Sequence, residues 1–149
     1  MVSNYLIFLI SYFLIVLSVI GHGALAIRFT KTNISIEEIG FVGLVGIFFL
    51  ILYSYITHFF ISHSYLHNLI FIFIGLSSIY YFKSKIFLKK NSILLFSIFS
   101  VIFLAFVIFK THDDFGYYHF PYSYYINKFS MIIGIGPLNH GFKTPSSIF

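Results

Sequence analysis

The stretch 39-IGFVGLVGIFFLILYSYITHFFISHSYLHNLIFIFIGLSSIYYF-82 runs for 44 residues without a Lys, Arg, Asp or Glu. As a single helix it would be about 66 Å long, against a hydrocarbon core of about 30 Å. It therefore reads as two membrane spans with a turn between them. The turn falls in 57–68, where Thr57, His58, Ser62, His63, Ser64, His67 and Asn68 cluster. Working outward, residues 1–27 carry no charge, and a third run, 91–109, is just long enough to cross. The reading is four transmembrane helices at about 5–26, 39–58, 66–82 and 92–109.

Composition supports this. Charged residues make up 9% of the chain and apolar residues 59%, whereas a soluble domain carries about 25% charge. Four acids and nine bases cannot cover so much apolar surface, which excludes a soluble globular enzyme, a disordered chain and a nucleic-acid binder. The net charge of +5 is scattered between apolar runs and forms no nucleic-acid patch. The lipid bilayer is the expected partner. Cys is absent, which excludes a disulfide scaffold and leaves the redox compartment open. The 22 Phe and 12 Tyr fit the codon bias of an AT-rich genome, so aromatic density is weak evidence for a cofactor site.

Orientation follows from the loops. Arg28 and Lys31 lie in the first, and Lys83, Lys85, Lys89 and Lys90 in the third, while the loop around His63 has no charge. The positive-inside rule places both basic loops in the cytoplasm and the N-terminus, the His63 loop and everything after Phe109 outside. Ala24-Leu25-Ala26 resembles a signal-peptide cleavage site, but Met1-Val2-Ser3-Asn4 lacks the basic start such a peptide needs.

Composition shifts at Lys110. Residues 110–121, KTHDDFGYYHFP, hold both Asp residues of the chain, and Pro121 opens a segment with Tyr122, Tyr125, Ile126, Phe129 and Ile133 on one face. A short amphipathic helix over 121–133, lying on the membrane surface and ended by Gly134 or Gly136, is expected. Asp113 and Asp114 suit general-base chemistry or a divalent cation; the alternative is an Asp that caps the following helix. His58, His63 and His67 suit metal or haem ligation less well than a wet membrane edge. Gly40, Gly43 and Gly46 form a small-residue face for close helix packing.

The tail, DDFGYYHFPYSYYINKF followed by GIGPLNHGFKTPSSIF, resembles a segment of bacterial polytopic membrane proteins of the GT-C glycosyltransferase superfamily. Asp114, Tyr118, His119, Pro121, Asn139, His140, Gly141, Ser146 and Ser147 fall on that pattern. The resemblance implies an all-α integral membrane fold in the bacterial inner (plasma) membrane and sugar transfer from a polyprenyl-phosphate donor on the exoplasmic face. It implies Asp114, with Asp113, as catalytic carboxylates, His119, Tyr118 and His140 at the substrate, and a divalent cation, if one is used, on the two Asp. Members of that superfamily are several hundred residues long, so the chain reads as an N-terminal part of such a protein, inactive alone. The alternative is a small non-catalytic four-span protein or partner subunit.

Topology is directly testable. Reporter fusions after Asn33, Ser64, Lys85 and Asp114 should read cytoplasmic, external, cytoplasmic and external. A cytoplasmic signal after Asp114 would remove both the orientation and the exoplasmic carboxylate.

Overall fold

A computed structural model describes residues 2–31, 35–108, 113–117 and 119–131, and for 2–4, 102, 105–108, 113 and 114 it describes the backbone alone. Helix α1 spans Val2–Thr30, α2 Ile39–His58, α3 Tyr65–Ile86 and α4 Lys89–Ile108; a 3-10 turn, Asp113–Gly116, precedes α5, His119–Lys128. Among the described residues all regular structure is helical. Three helical segments, Tyr5–Thr30, Ile39–His58 and Tyr65–Ile86, are long and apolar enough to cross a membrane. The fourth expected span, 92–109, falls on α4, part of which is described by its backbone only. Large apolar side chains such as Phe48, Phe73, Phe96 and Val101 are exposed along these helices. Water would penalise that arrangement, whereas lipid tails solvate it.

The helix ends have local causes. Lys31, with φ 52°, takes the left-handed conformation that closes α1. Ser64 caps α3: its carbonyl accepts the Asn68 N–H at 3.0 Å and its hydroxyl the His67 N–H at 3.5 Å. The expected helix over 121–133 is instead α5, His119–Lys128. It starts earlier because Pro121 is still within the first turn, where N–H groups have no helical partner. It stops earlier because the backbone N–H of Met131 leaves the helix to donate to the His58 carbonyl at 2.8 Å.

The residues fall into two units. The first, Met1–Leu50 with Ile70–Phe109, packs Leu17, Ile20, Ala24, Val42, Ile79 and Ile86 into its core. Backbones touch at glycines there. A Cβ on Gly23 would collide with the Val42 carbonyl oxygen, one on Gly46 with that of Val19, and one on Gly21 with that of Gly75. Of the expected small-residue face only Gly46 makes such an approach; Gly43 is in ordinary contact with Ile20, and Gly40 faces open space. The matching glycines on α1 and α3 lie outside that face. His22, fully buried between Gly21 and Gly23, bonds through Nδ1 to the Ser18 carbonyl at 2.9 Å and stacks on Phe71 at 4.8 Å between centroids. Its Nε2 has no hydrogen-bond partner among the described residues. At the basic end, the Asn91 amide donates to the carbonyls of Glu37 at 2.9 Å and Ile86 at 3.0 Å, tying the start of α4 to the end of α3 and to the α1–α2 connection.

The second unit, Ile51–Leu69 with Lys110–Phe149, contains the turn after α2, the start of α3, the 3-10 turn and α5.

The glycine contacts yield a contrast. Gly23→Ala and Gly75→Ala should each destabilise the folded protein by about 1–3 kcal/mol through overpacking against backbone. Gly40→Ala has room and should be neutral or stabilising by up to about 1 kcal/mol from helix propensity. Unfolding midpoints of the three variants in one detergent decide the matter; equal effects would refute the backbone contacts.

Candidate functional site

The second unit is built around a loop held by its own polar groups. After α2 the Thr57 carbonyl accepts the N–H groups of Phe60 and Ile61, turning the chain. The imidazoles of His58, His63 and His67 then stand in a row, with centroids 5.1 Å apart for the first pair and 4.8 Å for the second. His63 and His67 are parallel within 5° although His63 lies in the loop outside α3.

Hydrogen bonds engage both of these rings. The Thr57 hydroxyl donates to the Tyr53 carbonyl at 2.8 Å, so it accepts from His63 Nε2–H at 3.0 Å. His63 Nδ1 is then left to accept from the Ser54 hydroxyl, at 3.4 Å. The Asn68 amide nitrogen donates to the His63 carbonyl at 3.1 Å, which turns its oxygen to accept from His67 Nδ1–H, also at 3.1 Å. His67 Nε2 accepts from the Tyr53 hydroxyl at 3.1 Å. Both rings have both nitrogens engaged. They stack instead of converging, and among the described residues no three His, Cys, Asp or Glu are placed to hold a metal ion. Burial first, then the neighbouring His67 and His58, pushes the His63 imidazole down to about 4.

This row holds α5. The His63 N–H donates to the Ile126 carbonyl at 2.9 Å, capping one of the last carbonyls of α5, which no helical N–H reaches. The Met131 N–H caps the His58 carbonyl at the end of α2 in return. The Asn127 amide adds a donor to the His63 carbonyl at 3.4 Å, and the Tyr125 ring packs edge-on to His58 at 6.4 Å. Asn127, which lies off the apolar face, is half-buried and bonded inward. Tyr122 is buried as the amphipathic pattern required, whereas Phe129 is exposed.

Of the expected site residues, Asp113 and Asp114 open the 3-10 turn Asp113–Gly116, which packs on α5 through Phe115 and Phe120 at 6.2 Å. Asp114 precedes the first residue of α5 by five positions, too far to cap it. His119 is that first residue, half-buried, and its carbonyl accepts the Ser123 hydroxyl at 2.8 Å. Tyr118 and His140 lie outside the described residues, as do Asn139, Gly141, Ser146, Ser147 and the expected stops Gly134 and Gly136. Sequence reasoning missed the partners Tyr53, Ser54 and Asn127; the polar turn in an otherwise apolar run was the available signal.

Comparison with family models, with curated proteins and with solved structures finds no match to the chain.

The His63 imidazole should make the α5 contact pH-dependent. The folded form takes up its proton near pH 4, the unfolded form near 6.5. Its contribution is complete above pH 6.5 and is lost as the pH falls from there towards 4. Amide-exchange protection factors at His63 and Met131 should drop across that window. His63→Asn should flatten the profile; an unchanged profile would remove His63 as its cause.

Proposed function

We propose that this chain is the site-bearing part of a GT-C-like membrane glycosyltransferase of the bacterial inner membrane. In this reading it has four spans, its N-terminus and tail lie outside, and it acts on a polyprenyl-phosphate-linked sugar. The observation that carries the reading is the tail pattern that begins at Asp113-Asp114 and continues through His119 and Pro121. Two structural features support it. Neither Asp stands at the cap position of α5, so the commonest structural use of such a residue does not account for them. The turn that bears them packs on α5, which the histidine row anchors to the polar end of the α2–α3 pair.

The chemistry asks for a carboxylate that accepts the proton of an acceptor hydroxyl while its oxygen attacks the sugar C1 and the phosphate leaves. Asp114 takes that role, with Asp113 beside it. Tyr118, His119 and His140 would contact the sugar phosphate. Two adjacent carboxylates are also the oxygen donors a divalent cation accepts; no step here depends on one. The nitrogens of His63 and His67 are spent on Tyr53, Ser54, Thr57 and Asn68, and among the described residues no three His, Cys, Asp or Glu are placed to hold a metal ion.

Asp114→Asn separates chemistry from structure. An amide keeps the size and one acceptor oxygen of the carboxylate but takes no proton, so sugar transfer in membranes carrying the complete gene product should fall by roughly a hundredfold or more. Folding is followed in parallel by the protease resistance of α5. Wild-type turnover in this variant would remove Asp114 from the reaction.

A further inference from the structure

The first unit has a groove of about 540 Å³ that the sugar-transfer chemistry does not use. One wall is α4, where Ser92, Phe96, Phe99 and Phe103 recur at helical spacing; the other is α1, through Phe13 and its neighbours. From Ser92 to Phe103 the groove runs about 16 Å along α4, roughly the depth of one leaflet. Phe13 and Phe99 meet across it at 4.8 Å between centroids.

The lining offers water almost nothing. The Ser100 hydroxyl is turned back to the Phe96 carbonyl at 2.8 Å, leaving Ser92 as the polar side chain at one end. A hydrocarbon chain fits such a lining and water does not. That end is flanked by charge: between the lining residues Phe87 and Ser92 stand Lys89 and Lys90, both exposed, with Lys85 just before. Lys83 is engaged over the Tyr80 ring at 4.3 Å. The opening N–H groups of α4 add donors at the same place. The acids brought to the start of α4 by the Asn91 bond are Glu37 and its neighbour Glu38. They are outnumbered by the four lysines together with Arg28 and Lys31.

We infer that the α1–α4 groove is a binding site for an anionic phospholipid of the surrounding bilayer, one acyl chain lying along α4 and the phosphate held by Lys89 and Lys90. Apolar lining alone would accept any lipid; the lysines at one end select a negative headgroup. This site does not depend on the role of Asp114.

The absence of tryptophan from the chain makes the site measurable. Phe96→Trp places a single fluorophore on the groove wall, and Phe73→Trp places one on an exposed position of α3 as a reference. Each variant is reconstituted in phosphatidylcholine vesicles containing a small fraction of either dibrominated phosphatidylglycerol or dibrominated phosphatidylcholine. In the Phe96→Trp protein the anionic lipid should associate roughly thirtyfold more strongly than the zwitterionic one, the order expected of two lysines near a membrane surface. The reference fluorophore on α3 should show no such preference. The preference of the groove fluorophore should vanish when Lys89→Gln and Lys90→Gln are added, changes at exposed positions whose effect on folding is checked by helical circular dichroism. Equal quenching of the groove fluorophore by both lipids, or a preference that survives loss of both lysines, would overturn the proposal. So would an equal preference at the reference fluorophore, which marks general attraction of anionic lipid to a basic protein.

Discussion

A helix leaves its last carbonyls and first amides without partners, and at a membrane edge water is not always there to supply them. Much of the architecture answers that constraint. Asn91 closes the carbonyl of Ile86 at the end of α3, Ser64 receives the first amides of α3, and the carbonyls of His58 and Ile126 each accept an N–H from the opposite segment. The last exchange is reciprocal: α2 and α5 finish one another. Removing either segment would strand polar backbone on the other, at about 1–3 kcal/mol per buried group.

Within the first unit the dominant contact is backbone against backbone. In lipid the hydrophobic effect does not draw helices together, so association rests on close packing. Glycines provide it at Gly23 against Val42 and at Gly21 against Gly75, and His22 fills the space between the two crossings with a flat ring stacked on Phe71. A buried imidazole with one unpartnered nitrogen is costly in such surroundings. Its tolerance here reflects the stacking and the Nδ1 bond to Ser18.

The histidine row is a positioning device. Each ring nitrogen of His63 and His67 is matched to a hydroxyl or an amide. A proton added to His63 would meet burial and two neighbouring imidazoles. The row thus holds α5 and, through it, the turn that carries Asp113 and Asp114.

The helical class, and three helices long and apolar enough to cross a membrane, were legible in the sequence, because charge-free runs of fixed length leave a chain in lipid few alternatives. The four lysines between 83 and 90 read as a loop in the sequence, and the structure places them on the last turn of α3 and the first turn of α4. Tertiary structure alone decided which glycines touch, since only Gly46 of its stripe meets a backbone and its counterpart Gly23 lies on another helix. It also decided the end of α5. The apolar period runs on to Ile133, but α5 ends at Lys128 and the Met131 N–H pairs with the His58 carbonyl, far away in sequence. His58, His63 and His67 looked like scattered edge residues because their spacing fits no single helix. Two helix ends and the loop between them bring the rings into one row, and pairing across such distances leaves no period in the sequence.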